Sequence, residues 1–161
     1  MTDELKQLIQ KSKDMIDNNF FAALYQIFPM DTKPEVIGEF TQTMLSVGID
    51  PIKDGKLTYM PPYYLSCTDI ETFEIPKTIT KLGEGCFAYC EKLINLTIPE
   101  NIERIGPYAF AECSLDEIYI PSTVKTIDQN AFFGSVLTVI CEKESAADKY
   151  CQFYDVDVRY I

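Results

Sequence analysis

The sequence predicts an α+β fold: a short solenoid of about three and a half coils, closed by helices at one end and by a helix and a strand at the other. The main observation is an Ile-Pro pair that returns after 23 and then 22 residues, at positions 75–76, 98–99 and 120–121. A second observation is that helical spacing of apolar residues is confined to the two ends of the chain. Because a unit of this size cannot bury its apolar face alone, the repeat predicts coils stacked on one another.

Within the repeat, alternating apolar residues predict short strands with one buried side. Leu96 with Ile98, and Ile118 with Ile120, face inward in this interpretation, and the proline that follows ends each strand because it has no N–H to donate. One phenylalanine per coil is expected to stack on the next in the core. The predicted column consists of Phe87, Phe110 and Phe132.

A glycine stands at one fixed position of two units, at Gly83 and Gly106, and Asp128 takes that position in the following unit. We expect these residues to adopt a positive φ at a corner of the coil. Glycine takes this conformation freely, and aspartate tolerates it better than most residues.

Six cysteines and no histidine shape the expected chemistry. Cys67, Cys90 and Cys113 fall one per coil, and Ser135 ends the series. Without a secretion signal in this sequence, we expect these thiols to be buried and reduced. The chain has no Cys-x-x-Cys pair and no imidazole ligand, so neither a metal site nor another cofactor is predicted.

Residues 1–56 are predicted to form a helical cap on the first coil. Their apolar residues recur at helical spacing, and Gly48 is expected to end the last helix. Helices this short are marginal alone in water, so they need an apolar surface to cover. The expected helices span 2–19, 20–28 and 32–47.

Residues 57–140 are predicted to hold the repeats, and 141–161 the C-terminal cap. The first unit, 59–75, is expected to be half a repeat without its first strand, with residues 59–61 as a degenerate Ile-Pro corner. At the other end, Ser145 to Phe153 is predicted to be helical. Alternation of Val156, Val158 and Tyr160 predicts a final strand over 155–161.

The composition excludes several classes of function. With 25 acidic against 14 basic residues, a net charge of −11 argues against binding to nucleic acid or to anionic membranes. No apolar run reaches the length of a membrane span, and the acidic start does not resemble a signal peptide. We therefore expect a cytoplasmic protein.

No group of residues in the sequence indicates catalysis. Histidine, the commonest general base, does not occur, and Gly83-Glu84-Gly85 lacks the lysine of a phosphate-binding loop. Three acidic pairs, Asp116/Glu117, Glu142/Glu144 and Asp155/Asp157, fall at outward or loop positions, where solvated charge is the usual role. The sequence therefore predicts a protein that is not an enzyme.

Residues 59–161 resemble the BspA-like leucine-rich repeats, whose units run Ile-Pro, Ile-Gly, Ala-Phe, Cys, Leu and Ile-x-Ile-Pro. The match is specific from Ile75 to Pro121, and residues 139–150 look like the C-terminal cap of that family. The resemblance implies an adhesion or binding role without catalytic residues. In its brevity and its helical N-terminal segment the chain looks like small members from bacteriophage genomes.

The sequence thus predicts a non-enzymatic module that binds another protein, with a basic protein among the candidate partners. Strand alternation places two columns of side chains on the outer side of the predicted sheet. An acidic inhibitor of a nucleic-acid-binding enzyme and a structural assembly component are the alternatives, and the oligomeric state is left open. The candidate contact residues are Glu74, Asn95, Thr97, Glu117, Tyr119 and Ile140.

Overall fold

The computed structural model describes residues 32–46 and 57–161. Helix α1 spans Pro34–Ser46, nine short strands follow, and helix α2, Ala146–Tyr154, lies between the last two strands. The predicted helices over 2–19 and 20–28, and the predicted stop at Gly48, lie outside the described residues. The strands are β1 Tyr59–Met60, β2 Thr72–Glu74, β3 Lys81–Leu82, β4 Asn95–Thr97, β5 Arg104–Ile105, β6 Glu117–Tyr119, β7 Thr126–Ile127, β8 Thr138–Cys141 and β9 Asp157–Tyr160.

All strand pairs are parallel, as stacking of successive coils requires. The two-residue strands form one sheet in the order β1-β3-β5-β7. The longer strands form two ladders, β2-β4 and β6-β8-β9. Each of the first four coils therefore contributes one strand to each side of the solenoid, the last turn contributes α2 and β9, and the core lies between the two sides. The predicted α+β solenoid is confirmed.

The first coil is complete, so the predicted half-repeat is wrong. Strand β1 pairs with β3 through Tyr59 opposite Lys81 and Met60 opposite Leu82. Met60-Pro61 is thus the counterpart of Leu82-Gly83 and not of an Ile-Pro corner. The sequence does not reveal this correspondence, because Pro61 stands at the position that Gly83 occupies in the next coil. The solenoid has about five turns, more than the three and a half expected.

The aromatic column forms as predicted and organises the core. The rings of Phe87 and Phe110 are stacked with centroids 5.4 Å apart, and those of Phe110 and Phe132 are also stacked at 5.4 Å. Tyr150 of α2 closes the column edge-on, 5.7 Å from Phe132. Because Phe87 and Phe110 are fully buried, each ring contributes its full free energy of transfer from water as well as the energy of the ring contacts.

The repeated glycines do not adopt a positive φ, so that prediction is wrong. Among the described glycines, positive φ occurs at Gly85 and Gly134 instead. At Gly106 an added Cβ would lie 2.8 Å from the Leu82 carbonyl oxygen, and at Gly83 it would collide with the Met60 carbonyl. Glycine is needed there because the backbones of neighbouring coils approach closely.

Helix α1 covers the first coil, which confirms the predicted cap for residues 34–46. Its Ile37 and Met44 are buried. The Ser66 hydroxyl donates to the Pro34 carbonyl at 2.8 Å, and a side chain at Gly38 would collide with the Ser66 carbonyl. The helix therefore lies directly on the backbone of the coil beneath it.

The C-terminal cap also forms as predicted. Ser145 is the N-cap of α2 and its hydroxyl accepts from the Asp148 N–H at 3.2 Å, while Asp148 Oδ2 accepts from the Glu144 N–H at 2.7 Å. Two backbone N–H groups at the start of the helix are thereby satisfied reciprocally. The chain then returns as β9 beside β8. No helix in the described part of the chain is long and apolar enough to cross a membrane.

Candidate protein-binding surfaces

The outward side of β2, β4, β6, β8 and β9, here called the strand face, carries the six residues predicted from the sequence. Glu74 lies opposite Thr97, and Tyr119 lies opposite Ile140. Tyr119 and Ile140 are half-buried, whereas Glu74, Asn95, Thr97 and Glu117 are exposed.

The structure divides these six residues between two ladders. Glu74, Asn95 and Thr97 belong to β2-β4 and line a groove of about 490 Å³ together with Phe73 and Leu96. Glu117, Tyr119 and Ile140 belong to β6-β8-β9. The strand face is therefore two adjacent patches.

Arg159 of β9 belongs to the same face and was not anticipated. It lies opposite Ile140 in the ladder, and its guanidinium contacts Glu117 at 2.9 Å. The alternation of the last strand was visible in the sequence, but its register against β8 was not. The charge of Glu117, predicted to attract a basic partner, is thus already paired within the chain.

Tyr119 lies among carboxylates. Partial burial raises the pKa of its phenol, and the nearby charges of Glu100 and Glu142 raise this pKa further. The ring therefore stays neutral at physiological pH, and its surroundings on the strand face are acidic.

Of the three cysteines expected to be buried, only Cys90 and Cys113 are, and the prediction for Cys67 is wrong. Cys67 is exposed, because it precedes the inward position by one residue. The residue in line with Cys90 is Thr68, whose hydroxyl lies 3.6 Å from the Cys90 sulfur. Spacings of 22 and 23 both occur in this repeat, so the sequence could not separate the two neighbours.

The inward polar residues act as donors between coils. Cys90 Sγ donates to the Leu65 carbonyl and Cys113 Sγ to the Phe87 carbonyl, both at 3.0 Å, and the Ser135 hydroxyl donates to the Phe110 carbonyl at 2.7 Å. Each bond links a coil to a backbone carbonyl of the preceding coil. Two of these carbonyls also accept a second bond, Leu65 from the Thr68 hydroxyl and Phe87 from the Cys90 N–H.

The environment of these thiols opposes reactivity. Burial raises the pKa of Cys90, and burial with the neighbouring Cys90 raises that of Cys113 to about 12. A thiolate is the reactive form, so a raised pKa makes nucleophilic chemistry unfavourable. Within 32–46 and 57–161, no three His, Cys, Asp or Glu side chains are placed to hold a metal ion.

A second surface, here called the turn edge, consists of segments 63–67, 85–89, 108–112 and 130–134. The first and the last residue of each segment have positive φ. N–H groups in each of the first three segments donate to carbonyls of the next coil, for example Tyr89 to Ala111 at 2.8 Å. The residues with positive φ are Tyr63, Gly85, Tyr108 and Asn130 at the starts, and Cys67, Tyr89, Glu112 and Gly134 at the ends.

Aromatic side chains project from the turn edge. Tyr89 is 48% exposed, Tyr108 38% and Phe133 57%. The rings of Tyr108 and Phe133 meet edge to face at 6.0 Å, and the Tyr63 hydroxyl donates to Glu84 at 2.7 Å. Positive φ is uncommon for bulky residues, yet three tyrosines adopt it here.

The turn edge is acidic as well as aromatic. Its four segments contain no lysine or arginine, and the exposed carboxylates of Glu84, Glu91 and Glu112 lie within or beside them. The nearest lysine in sequence, Lys92, is paired with Asp69 at 3.1 Å. Sequence reasoning missed this surface because its signal is the 22–23-residue recurrence of outward positions, which carry different residue types in each coil.

Together, the fold and its surfaces define the class of protein. It is a repeat solenoid whose outward-facing side chains do not contribute to the core. A family model described as "BspA type Leucine rich repeat region (6 copies)" matches residues 49–140, more than half of the chain. The chain belongs to the BspA-type leucine-rich repeat family. Such repeats generally form a non-enzymatic fold that binds proteins. No curated protein and no solved structure matches the chain.

Proposed function

We propose that this protein is a non-enzymatic binding module that takes a basic segment of another protein on its turn edge. The observation that carries the proposal is the set of tyrosines held outward at positive φ beside the exposed carboxylates of Glu84, Glu91 and Glu112. An uncommon backbone conformation at a surface position supports a functional role.

The chemistry of this surface fits arginine and lysine side chains. A guanidinium stacks on the face of an aromatic ring and gains electrostatic attraction from it, an effect of about 0.5–2 kcal/mol. Glu84, Glu91 and Glu112 would add long-range attraction, which mainly raises the association rate. Tyrosine is also enriched among the residues that dominate binding energy at protein interfaces.

The strand face stays the competing surface. Tyr119 and Ile140 could anchor a partner there, as the sequence predicts, with Glu74, Asn95 and Thr97 on the neighbouring ladder. Two features favour the turn edge: Tyr119 is half-buried, and Glu117 is already paired with Arg159.

Selection from a displayed random-peptide library tests the proposal and requires no identified partner. Selected peptides should be enriched in arginine and lysine, and their binding should weaken with added salt. Tyr89→Ala and Tyr108→Ala should each weaken binding by about tenfold or more. Tyr119→Ala is the matched control on the strand face and should leave binding unchanged.

The opposite pattern of mutant effects would place the binding site on the strand face. If Tyr119→Ala abolishes binding while Tyr89→Ala and Tyr108→Ala do not, the strand face is the contact surface. If the selected peptides are apolar or acidic, the partner is not a basic segment.

A second candidate function is inhibition of a basic nucleic-acid-binding protein, which the net charge of −11 favours. In that role the chain would compete with nucleic acid for one groove, so added duplex would displace it from its partner. Simultaneous binding of both would exclude this role. The cytoplasmic location and the bacteriophage origin expected from the sequence stay predictions.

A further inference from the structure

The free edge of β9 is the starting point of a separate inference that does not depend on the proposed function. Strand β9 pairs with β8 on one side, and among the described residues no strand lies on its other side. A strand edge carries backbone N–H and C=O groups that can pair with another strand.

The register identifies which groups point to this free edge. Ile161 N–H donates to the Cys141 carbonyl of β8. In a parallel ladder alternate residues bond to one neighbour, so Asp157 and Arg159 also bond towards β8. The N–H and C=O groups of Val158 and Tyr160 therefore point away from β8. The Val156 N–H is already used, because it donates to the Cys151 carbonyl at 3.0 Å.

The side chains of β9 alternate between two environments. Val158 lies opposite Val139, which is fully buried, and packs against the core. Asp157 and Arg159 are exposed on the other side, opposite Thr138 and Ile140 of the strand face. The outward residues on either side of Val158 thus carry opposite charges.

We propose that β9 pairs antiparallel with β9 of a second copy of this chain, about a two-fold axis at Val158. Val158 then exchanges both backbone hydrogen bonds with Val158 of the second copy, which is the hydrogen-bonded pair of an antiparallel ladder. The Tyr160 N–H of each copy donates to the Val156 carbonyl of the other.

This register also makes the charges complementary. Asp157 of each copy faces Arg159 of the other in a non-hydrogen-bonded pair, where the Cα atoms are only about 4.5 Å apart. The Arg159 guanidinium has five N–H donors, so it can hold Glu117 within its own chain and Asp157 of the second copy together. A second β9 strand thus offers backbone groups that match the free edge and charges that match Asp157 and Arg159, which favours a second copy over an unrelated peptide.

The expected dimer is weak. Pairing of four-residue strands buries less than the roughly 1,200 Å² of a stable interface, so dissociation constants on the order of 10–100 μM are expected. Sedimentation of the full chain from about 1 μM to 1 mM should show a monomer–dimer equilibrium. A chain that stays monomeric over this range would overturn the proposal.

Charge reversal tests the register. Asp157→Arg and Arg159→Asp each place like charges opposite each other twice, and each variant alone should dimerise about tenfold or more weakly. An equimolar mixture of the two variants restores opposite charges at both pairs and should form a heterodimer with near wild-type affinity. Asp157→Arg lowers the net negative charge, so general repulsion cannot explain its loss of dimer.

Two controls keep the result interpretable. Glu71→Arg makes the same charge change on an exposed residue that precedes β2, in the other ladder, and should leave dimerisation intact. Val158→Pro removes an N–H that points to the free edge but no bond to β8, and should abolish the dimer; thermal unfolding reports whether the variant is folded. Failure of the charge-reversal mixture to dimerise overturns the register. A series of ever larger species would instead indicate end-to-end stacking of solenoids.

Discussion

The turn edge and the strand face are both outward surfaces of the same coils, yet their backbones impose different constraints. On the strand face the backbone is extended, and the register of strand pairing alone determines which side chains face outward. On the turn edge the chain adopts positive φ twice in each of four successive coils, and the three residues between these positions include a core aromatic. Outward positions of one repeat are therefore not equivalent, and the same substitution has opposite consequences on the two surfaces.

The largest expected contrast is in the rate of thiol labelling. It compares Cys67, which faces outward on the turn edge, with Cys90 and Cys113, which face inward. Cys67 should react with an alkylating reagent at least about 10³-fold faster than Cys90 and Cys113, whose exposure requires unfolding. Partial desolvation of the exposed Cys67 thiol and the charges of Glu35 and Glu91 raise its pKa, so its labelling rate should increase as the pH rises above neutral. Mass spectrometry of labelled peptides measures each rate. Equal rates at the three sites in native protein would contradict the assigned register.

The core beneath the turn edge should respond most strongly to truncation. Phe110→Ala removes a fully buried ring that stacks on two others and should cost about 3–5 kcal/mol in the free energy of unfolding. Phe133→Ala is the matched control, because this ring is exposed and should contribute far less. Urea unfolding measures both, and similar losses would argue against a stacked core.

Glycine substitution should change the free energy of unfolding in opposite directions on the two surfaces. Glu112 has a φ of 53°, so Glu112→Gly relieves a left-handed conformation and should stabilise the protein by up to about 1 kcal/mol. Glu117 lies in strand β6 and pairs with Arg159, so Glu117→Gly should destabilise by about 0.5–1 kcal/mol. The two variants should shift the urea midpoint in opposite directions. A shift in the same direction would remove the distinction between the surfaces.

The smallest effect is expected at acid pH in the C-terminal cap that closes the strand face. The N–H bond from Glu144, with bonds from Tyr160 and Gln152, lowers the Asp148 pKa below its usual value of 3.8. A lowered folded-state pKa means that Asp148 stabilises the fold fully above pH of about 4 and loses this contribution as the pH falls through the folded value. Asp148→Asn should flatten the acid limb of stability against pH. Asp116→Asn, at an exposed site, should not.

The sequence by itself determined the repeat and what fills it. The Ile-Pro period predicted the coils, the Phe87, Phe110 and Phe132 positions predicted the column, and helical spacing after Ser145 predicted α2. These predictions succeed because a position that is buried in every coil requires an apolar residue, so the period of burial is visible in the sequence.

Only the tertiary structure decided the register at single-residue precision. It placed Cys67 outside, made the first coil complete and assigned glycine to close contact between coils. It also brought Arg159 beside Glu117 and placed the ring of Tyr108 against that of Phe133 on the turn edge. The physical reason is that φ, close backbone approach and contacts between coils depend on neighbours 22 or 23 residues away. Residue identity at one position does not encode those neighbours.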